Sequence, residues 1–143
     1  MDRQTAISRF HQTFDTAEKA YTRYAKAQGL NFLTFITLRD IFESEAKLSQ
    51  KELAKKHGIP KQVINAIIKN FIDDGIVTLE ESKDRRIKKI ALTPKGGAVA
   101  KKAIDPIIHA EQHIWDDAST EDIVTGLRLI EMYARKINDI TRI

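Results

Sequence analysis

The chain contains no cysteine. Disulfides, thiolate zinc sites, iron–sulfur clusters and cysteine-based redox sensing are therefore excluded from the chain itself. It also lacks long apolar runs, and no stretch approaches the roughly 18 consecutive apolar residues of a membrane span. Its first residues, Met1-Asp2-Arg3-Gln4, are polar and mixed in charge, with no basic segment leading into an apolar one. The expectation is a cytoplasmic protein without a membrane partner. There is no nucleophile elbow, phosphate loop, HExxH motif or paired-carboxylate signature. The chain does not read as an enzyme, and no catalytic residue is assigned. Repeats and low-complexity tracts are absent too.

What is present is charge in one place. The 143 residues carry a net charge of +4. Between Lys47 and Lys89 stand eleven basic residues against six acids, a local excess of +5, so the rest of the chain carries −1. One segment built to face a polyanion would be distributed in this way.

Apolar spacing places the elements. Ile7, Phe10, Phe14, Ala17, Tyr21 and Tyr24 recur at three- and four-residue steps, predicting a helix from Ile7 to about Ala27 that Gly29 ends. Asn31 can cap a second helix, Phe32 to about Ser44, apolar on most sides and hence central. Ser49-Gln50-Lys51-Glu52 has the capping-box arrangement and opens a short helix to about His57, closed by Gly58. Pro60 suits the first turn of the next, which runs to about Asp74 with Val63 or Ile64, Ile67, Ile68, Phe71 and Ile72 inward. Then the period changes: Ile76–Leu79 and Ile87–Leu92 read as two strands around the charged turn Ser82–Arg86. Thr93-Pro94 starts a helix to about Asp116, with a kink expected at Pro106. Ser119 caps the last helix, whose stripe is Ile123, Leu127, Ile130, Ala134, Ile137 and Ile140.

Helix, tight turn, helix and charged hairpin, over Leu48 to Thr93, is the order of a helix-turn-helix with a wing. The second helix of such a unit enters the DNA major groove. Here it offers Lys61, Gln62, Asn65 and Lys69 on its outer side, with Val63 near its start. Lysine neutralises phosphate or reaches guanine, while Gln and Asn can pair two hydrogen bonds with adenine. The hairpin tip carries Lys83, Asp84, Arg85 and Arg86, and arginine suits a narrow, electronegative minor groove.

These residues resemble the MarR family of bacterial regulators. The marks are Glu52-Leu53-Ala54, then Gly75-Ile76-Val77 after the recognition helix, Asp84-Arg85-Arg86 in the wing, and Leu92-Thr93 before Gly96. The order of the flanking helices fits as well, so the resemblance covers nearly the whole chain. It implies that Asp84 braces the wing by pairing with an arginine and that Arg86 enters the minor groove. It also implies that the first and last helices interlock with those of a second subunit. Leu79 departs from the pattern, standing where many relatives place an arginine, and Glu80-Glu81 put acid beside the wing.

The fold expected is mostly α (α+β): a winged helix-turn-helix lobe over 31–93, between a dimerisation helix in 1–30 and dimerisation helices in 94–143. The function expected is that of a homodimeric repressor on a palindromic double-stranded DNA operator, released by a small-molecule effector. The contrasting readings are a winged-helix protein-interaction module without DNA binding and a zinc-responsive regulator. His109 and His113, four apart on one helix, have the spacing to share a metal. With no cysteine and no evident third ligand, no metal or cofactor is assigned, and His11 and His57 are read as structural. Phe10, Phe14, Tyr21, Tyr24, Phe32, Phe35 and Trp115 supply either core or the wall of an effector pocket.

Overall fold

Asp2 caps the first helix, a role that apolar spacing does not reveal. In the computed structural model, which describes residues 1–142, its carboxylate accepts the Thr5 N–H at 2.8 Å. Ile143, the end of the 94–143 segment, lies outside the described residues. Helix α1 (Arg3–Ala27) thus starts about a turn before Ile7. Only Ala25 of α1 is buried, while Ile7 and Phe14 are exposed. Near its C-terminus the Tyr24 hydroxyl donates to the Ala103 carbonyl at 2.6 Å, and its ring meets Phe35 edge-on.

Asn31 caps α2 (Phe32–Glu43) by accepting from the Thr34 N–H at 2.8 Å. The helix buries Phe35, Thr37, Leu38 and Ile41, as a nearly all-apolar helix must. Helix α3 (Gln50–His57) carries both halves of the capping box between Ser49 and Glu52, and Gly58 closes it at a φ of 62°, where a side chain would be strained. Pro60 stands at the N-cap of α4 (Lys61–Asp73). The inward face of α4 is Ile64, Ile67, Ile68 and Phe71, so Ile64 rather than Val63 turns to the core. Ile72, expected inward, is exposed because it falls a quarter-turn from the centre of that face.

Strands β1 (Val77–Glu81) and β2 (Lys88–Leu92) pair antiparallel, from Val77 opposite Leu92 to Glu81 opposite Lys88. The Ile90 N–H also donates to the Leu48 carbonyl, at 2.8 Å, which ties the hairpin to the chain just before α3. Ile76, Val77 and Ile90 join Leu38, Ile41, Leu53, Ala54, Ile64, Ile67, Ile68, Phe71 and Ala100 in one apolar core.

Three helices follow: α5 (Pro94–Gln112), α6 (Ile114–Asp117) and α7 (Thr120–Thr141). Helix α5 continues through Pro106, and the break falls at His113, short of the expected end at Asp116. Pro106 has no N–H to donate to the Lys102 carbonyl, four residues earlier, yet the helix runs on. Ser119 caps α7 by accepting from the Asp122 N–H at 3.1 Å. No residue of α7 is buried, and Leu127, Ile130, Ile137 and Ile140 are exposed. The described chain divides into two compact units, Met1–Ile104 and a second beginning at Asp105. No helix among the described residues is long and apolar enough to cross a membrane.

Candidate nucleic-acid interface

The capping box does more than start α3. The Glu52 carboxylate accepts the Ser49 N–H at 3.2 Å and also the Lys89 ammonium at 2.7 Å, so one side chain fixes a helix start and the second strand of the wing. The Lys89 hydrogen bond holds the Glu52 carboxyl below the ordinary glutamate range, with the Ser49 bonds adding to it. On the other strand Lys47 bonds Glu80 at 2.5 Å. The helix-turn-helix and the wing are therefore tied by charged bonds as well as by the shared core.

The wing loop is organised from within. Asp84 Oδ1 accepts the Arg86 N–H at 3.0 Å and the Arg86 Nε at 3.2 Å, while Oδ2 faces Nη2 at 3.3 Å. The Arg86 side chain lowers the Asp84 pKa, helped by the Arg86 backbone N–H. The Ser82 hydroxyl lies 2.8 Å from the Asp84 carbonyl and 2.5 Å from that of Ile87, pinning both ends of the turn. Arg86 is nonetheless 90 % exposed: it is oriented, not covered.

Two helix starts and the wing meet at one cleft of about 300 Å³. The N-terminus of α3 supplies Ser49, Gln50 and Lys51, that of α4 supplies Lys61 and Asn65, and the wing supplies Leu79, Arg86, Ile87 and Lys88. Two helix N-termini and four cationic side chains around an open cleft favour a chain of phosphates. Of the expected residues, Lys61, Asn65 and Arg86 line it. Gln62 and Lys69 lie on the outward ridge of α4, Val63 on the flank away from the cleft, and Lys83, Asp84 and Arg85 in the wing loop. Gln62 does not line the cleft, although Asn65, three residues on, does. Residue spacing does not reveal Ser49, Gln50, Lys51 and Lys88 as lining residues; the capping box was the available signal, since it aims the start of α3. Leu79 is half-buried against the apolar core, which is what a leucine gains at that position.

Ion pairing sorts the +5 segment. Lys47, Lys56, Lys88, Lys89 and Arg86 pair with Glu80, Asp40, Glu81, Glu52 and Asp84 respectively. The acids beside the wing are therefore engaged by lysines. Lys51, Lys55, Lys61, Lys69, Lys83 and Arg85 have no carboxylate partner among the described residues. Charge left unpaired on exposed side chains is charge available to a polyanion.

The remaining candidates resolve as follows. His57 bonds Asp40, which also accepts Lys56 at 2.7 Å, so His57 joins the end of α3 to α2. His109 and His113 bring their Nε2 atoms within 3.1 Å, and His113 Nδ1 faces Asp116 at 2.8 Å. Among the described residues no group of three or more His, Asp or Glu is arranged to hold a metal ion. Phe35 is buried, whereas Phe14 and Trp115 are exposed.

The chain is similar to known proteins in sequence and in fold. Residues 28–87, which contain α2, α3, α4, β1 and the wing turn and stop short of β2, match the model of the MarR family. The HTH-type transcriptional regulator TcaR of Staphylococcus aureus (strain Newman) is 30 % identical over 93 residues, covering 63 % of this chain; the chain spans 62 % of its length. The HTH-type transcriptional regulator SarZ of S. aureus (strain MRSA252) is 30 % identical over 116 residues, 77 % of this chain and 75 % of SarZ. Among solved structures, NMB1585, a MarR family regulator from Neisseria meningitidis, superposes with a TM-score of 0.73 at 20 % identity, over 97 % of this chain and 99 % of its own.

Proposed function

The chain belongs to the MarR family, and on that premise we propose that it is a transcription regulator that binds a palindromic operator as a homodimer and represses from it. One observation carries the reading: the cleft where the α3 start, the α4 start and the wing converge, lined by Lys51, Lys61, Arg86 and Lys88. Cations gathered from two helix starts and the wing suit a polyanion better than an apolar protein partner. The homodimer is supported by the exposed apolar stripe of α7, which a second copy would cover. Release by a small-molecule effector and action in the cytoplasm belong to the same reading and rest on family membership.

Titration of the chain against duplex DNA at several salt concentrations tests this. Each phosphate neutralised releases a counterion, so log affinity should fall steeply and linearly with log salt, by about 0.9 per contact. A flat response, or no binding to any duplex at low salt, would favour the interaction module instead.

A further inference from the structure

We infer that Ala66 is a specificity-determining residue that reads a thymine methyl group from the centre of α4; the inference rests on the DNA-binding reading above. Helix α4 turns Ile64, Ile67, Ile68 and Phe71 to the core. At 3.6 residues per turn the line opposite that face runs through Gln62, Ala66, Lys69 and Asp73. All four are exposed. This ridge, rather than the cleft-lining flank of Lys61 and Asn65, is the part of the helix farthest from the core and deepest in any groove that admits it.

Charge along the ridge fixes which half goes deep. Asp73, with Asp74 beside it, ends the ridge in negative charge, which phosphates repel. Lys69, one turn earlier, suits the backbone. Gln62 and Ala66 are left for the base edges, in the N-terminal half that a recognition helix presents to them. Gln62 can read a donor–acceptor pair. Ala66 has only a methyl group, and the one apolar feature of the major-groove edge is the C5-methyl of thymine. The short side chain also lets the helix approach closely enough for Gln62 to reach its base.

High helix propensity would equally suit alanine to an exposed helical site. Folding and reading separate in an experiment that compares thymine with uracil, which pairs identically but lacks the methyl. A duplex selected from a randomised pool by the full chain is resynthesised with each thymine replaced singly by deoxyuridine. The parent should lose about fourfold in affinity at one thymine in each half-site, the worth of one buried methyl-sized group. Ala66→Gly should bind thymine and uracil duplexes equally, a ratio that reduced stability leaves unchanged. Ile72→Ala, an exposed apolar position of α4 outside the ridge, should keep the parental ratio. The inference is overturned by a parental ratio in Ala66→Gly, by a parent insensitive to every uracil, or by a ratio lost in Ile72→Ala. If the full chain selects no duplex, the DNA-binding reading itself falls and takes this inference with it.

Discussion

Arg86 is held by Asp84 through two side-chain bonds and a backbone one, yet stays almost wholly exposed. A flexible arginine would have to lose its rotamer freedom on meeting DNA; this one has lost part of it beforehand. Arg86→Ala should therefore weaken operator binding by ~1–3 kcal/mol, the scale of a charge-assisted contact. Asp84→Ala should weaken it less, since it frees the arginine rather than removing it and takes away a negative charge near phosphate. Affinities of the two variants on one operator check this, and a larger loss for Asp84→Ala would contradict it. Glu52 carries the sign of a pH effect. Its folded pKa is depressed, chiefly by Lys89, so its contribution to stability is complete above the ordinary glutamate value of about 4.3 and is lost as pH falls through the lower folded value. In thermal melts the deficit of Glu52→Gln against the parent should be constant near neutrality and shrink in acid below about pH 4. A deficit that grows with acid would mean that the Glu52–Lys89 bond does not contribute as described.

Between residues and molecule, the junction after α4 shows how one element fixes the next. Gly75 takes a φ of 72°, Thr93 Oγ1 donates to the Gly75 carbonyl at 2.5 Å, and the Thr93 N–H donates to Ile76 O at 3.0 Å. Helix α5 starts so close to this turn that a Cβ on Gly96 would lie 1.8 Å from the Ile76 carbonyl oxygen. That atom is backbone inside the core and cannot rotate away. Gly96→Ala should cost at least ~1–3 kcal/mol of unfolding free energy, as forced overpacking does. Urea denaturation gives the value, and a change within a few tenths would show that the junction relaxes freely. Such local devices were legible in the sequence: Asn31, Ser49 with Glu52, Gly58, Gly75 and Ser119 are short-range signals whose chemistry is complete within a few residues. The winged fold followed from their order. Legibility ended where distant residues meet. Lys51, Asn65 and Lys88 share a cleft only because β2 docks beside α3, a fact that local spacing does not hold. The break at His113 is not marked by a proline or a glycine, whereas Pro106, the residue that weakens a helix, lies within α5.

At the scale of the molecule the unanswered demand is the apolar surface of α7. Leu127 is 56 % exposed, Ile130 46 % and Ile137 58 %, all on the stripe that helical spacing marks out, and α7 buries nothing. A 22-residue helix with that surface in water gains little from its own hydrogen bonds, because helical stability in proteins comes mostly from packing an apolar face. A second copy presenting the same stripe would supply the packing, in the self-complementary arrangement of a two-fold dimer. It would also bring a second cleft, so that two recognition helices face two half-sites and the operator shares the symmetry of the protein. Dimerisation and DNA affinity should then be lost together. Ile130→Asp with Ile137→Asp places two carboxylates at the seam, where burying an unpaired charge is prohibitive. The double variant should sediment as a monomer or fail to remain in solution, and soluble variant should bind operator far more weakly than the parent. Far-UV circular dichroism and the melt of the winged unit separate this from general unfolding. The decisive measurement is on the parent itself: sedimentation at micromolar concentration should show one dimeric species. A parent that stays monomeric there while binding an operator tightly would leave the stripe of α7 without the role given to it.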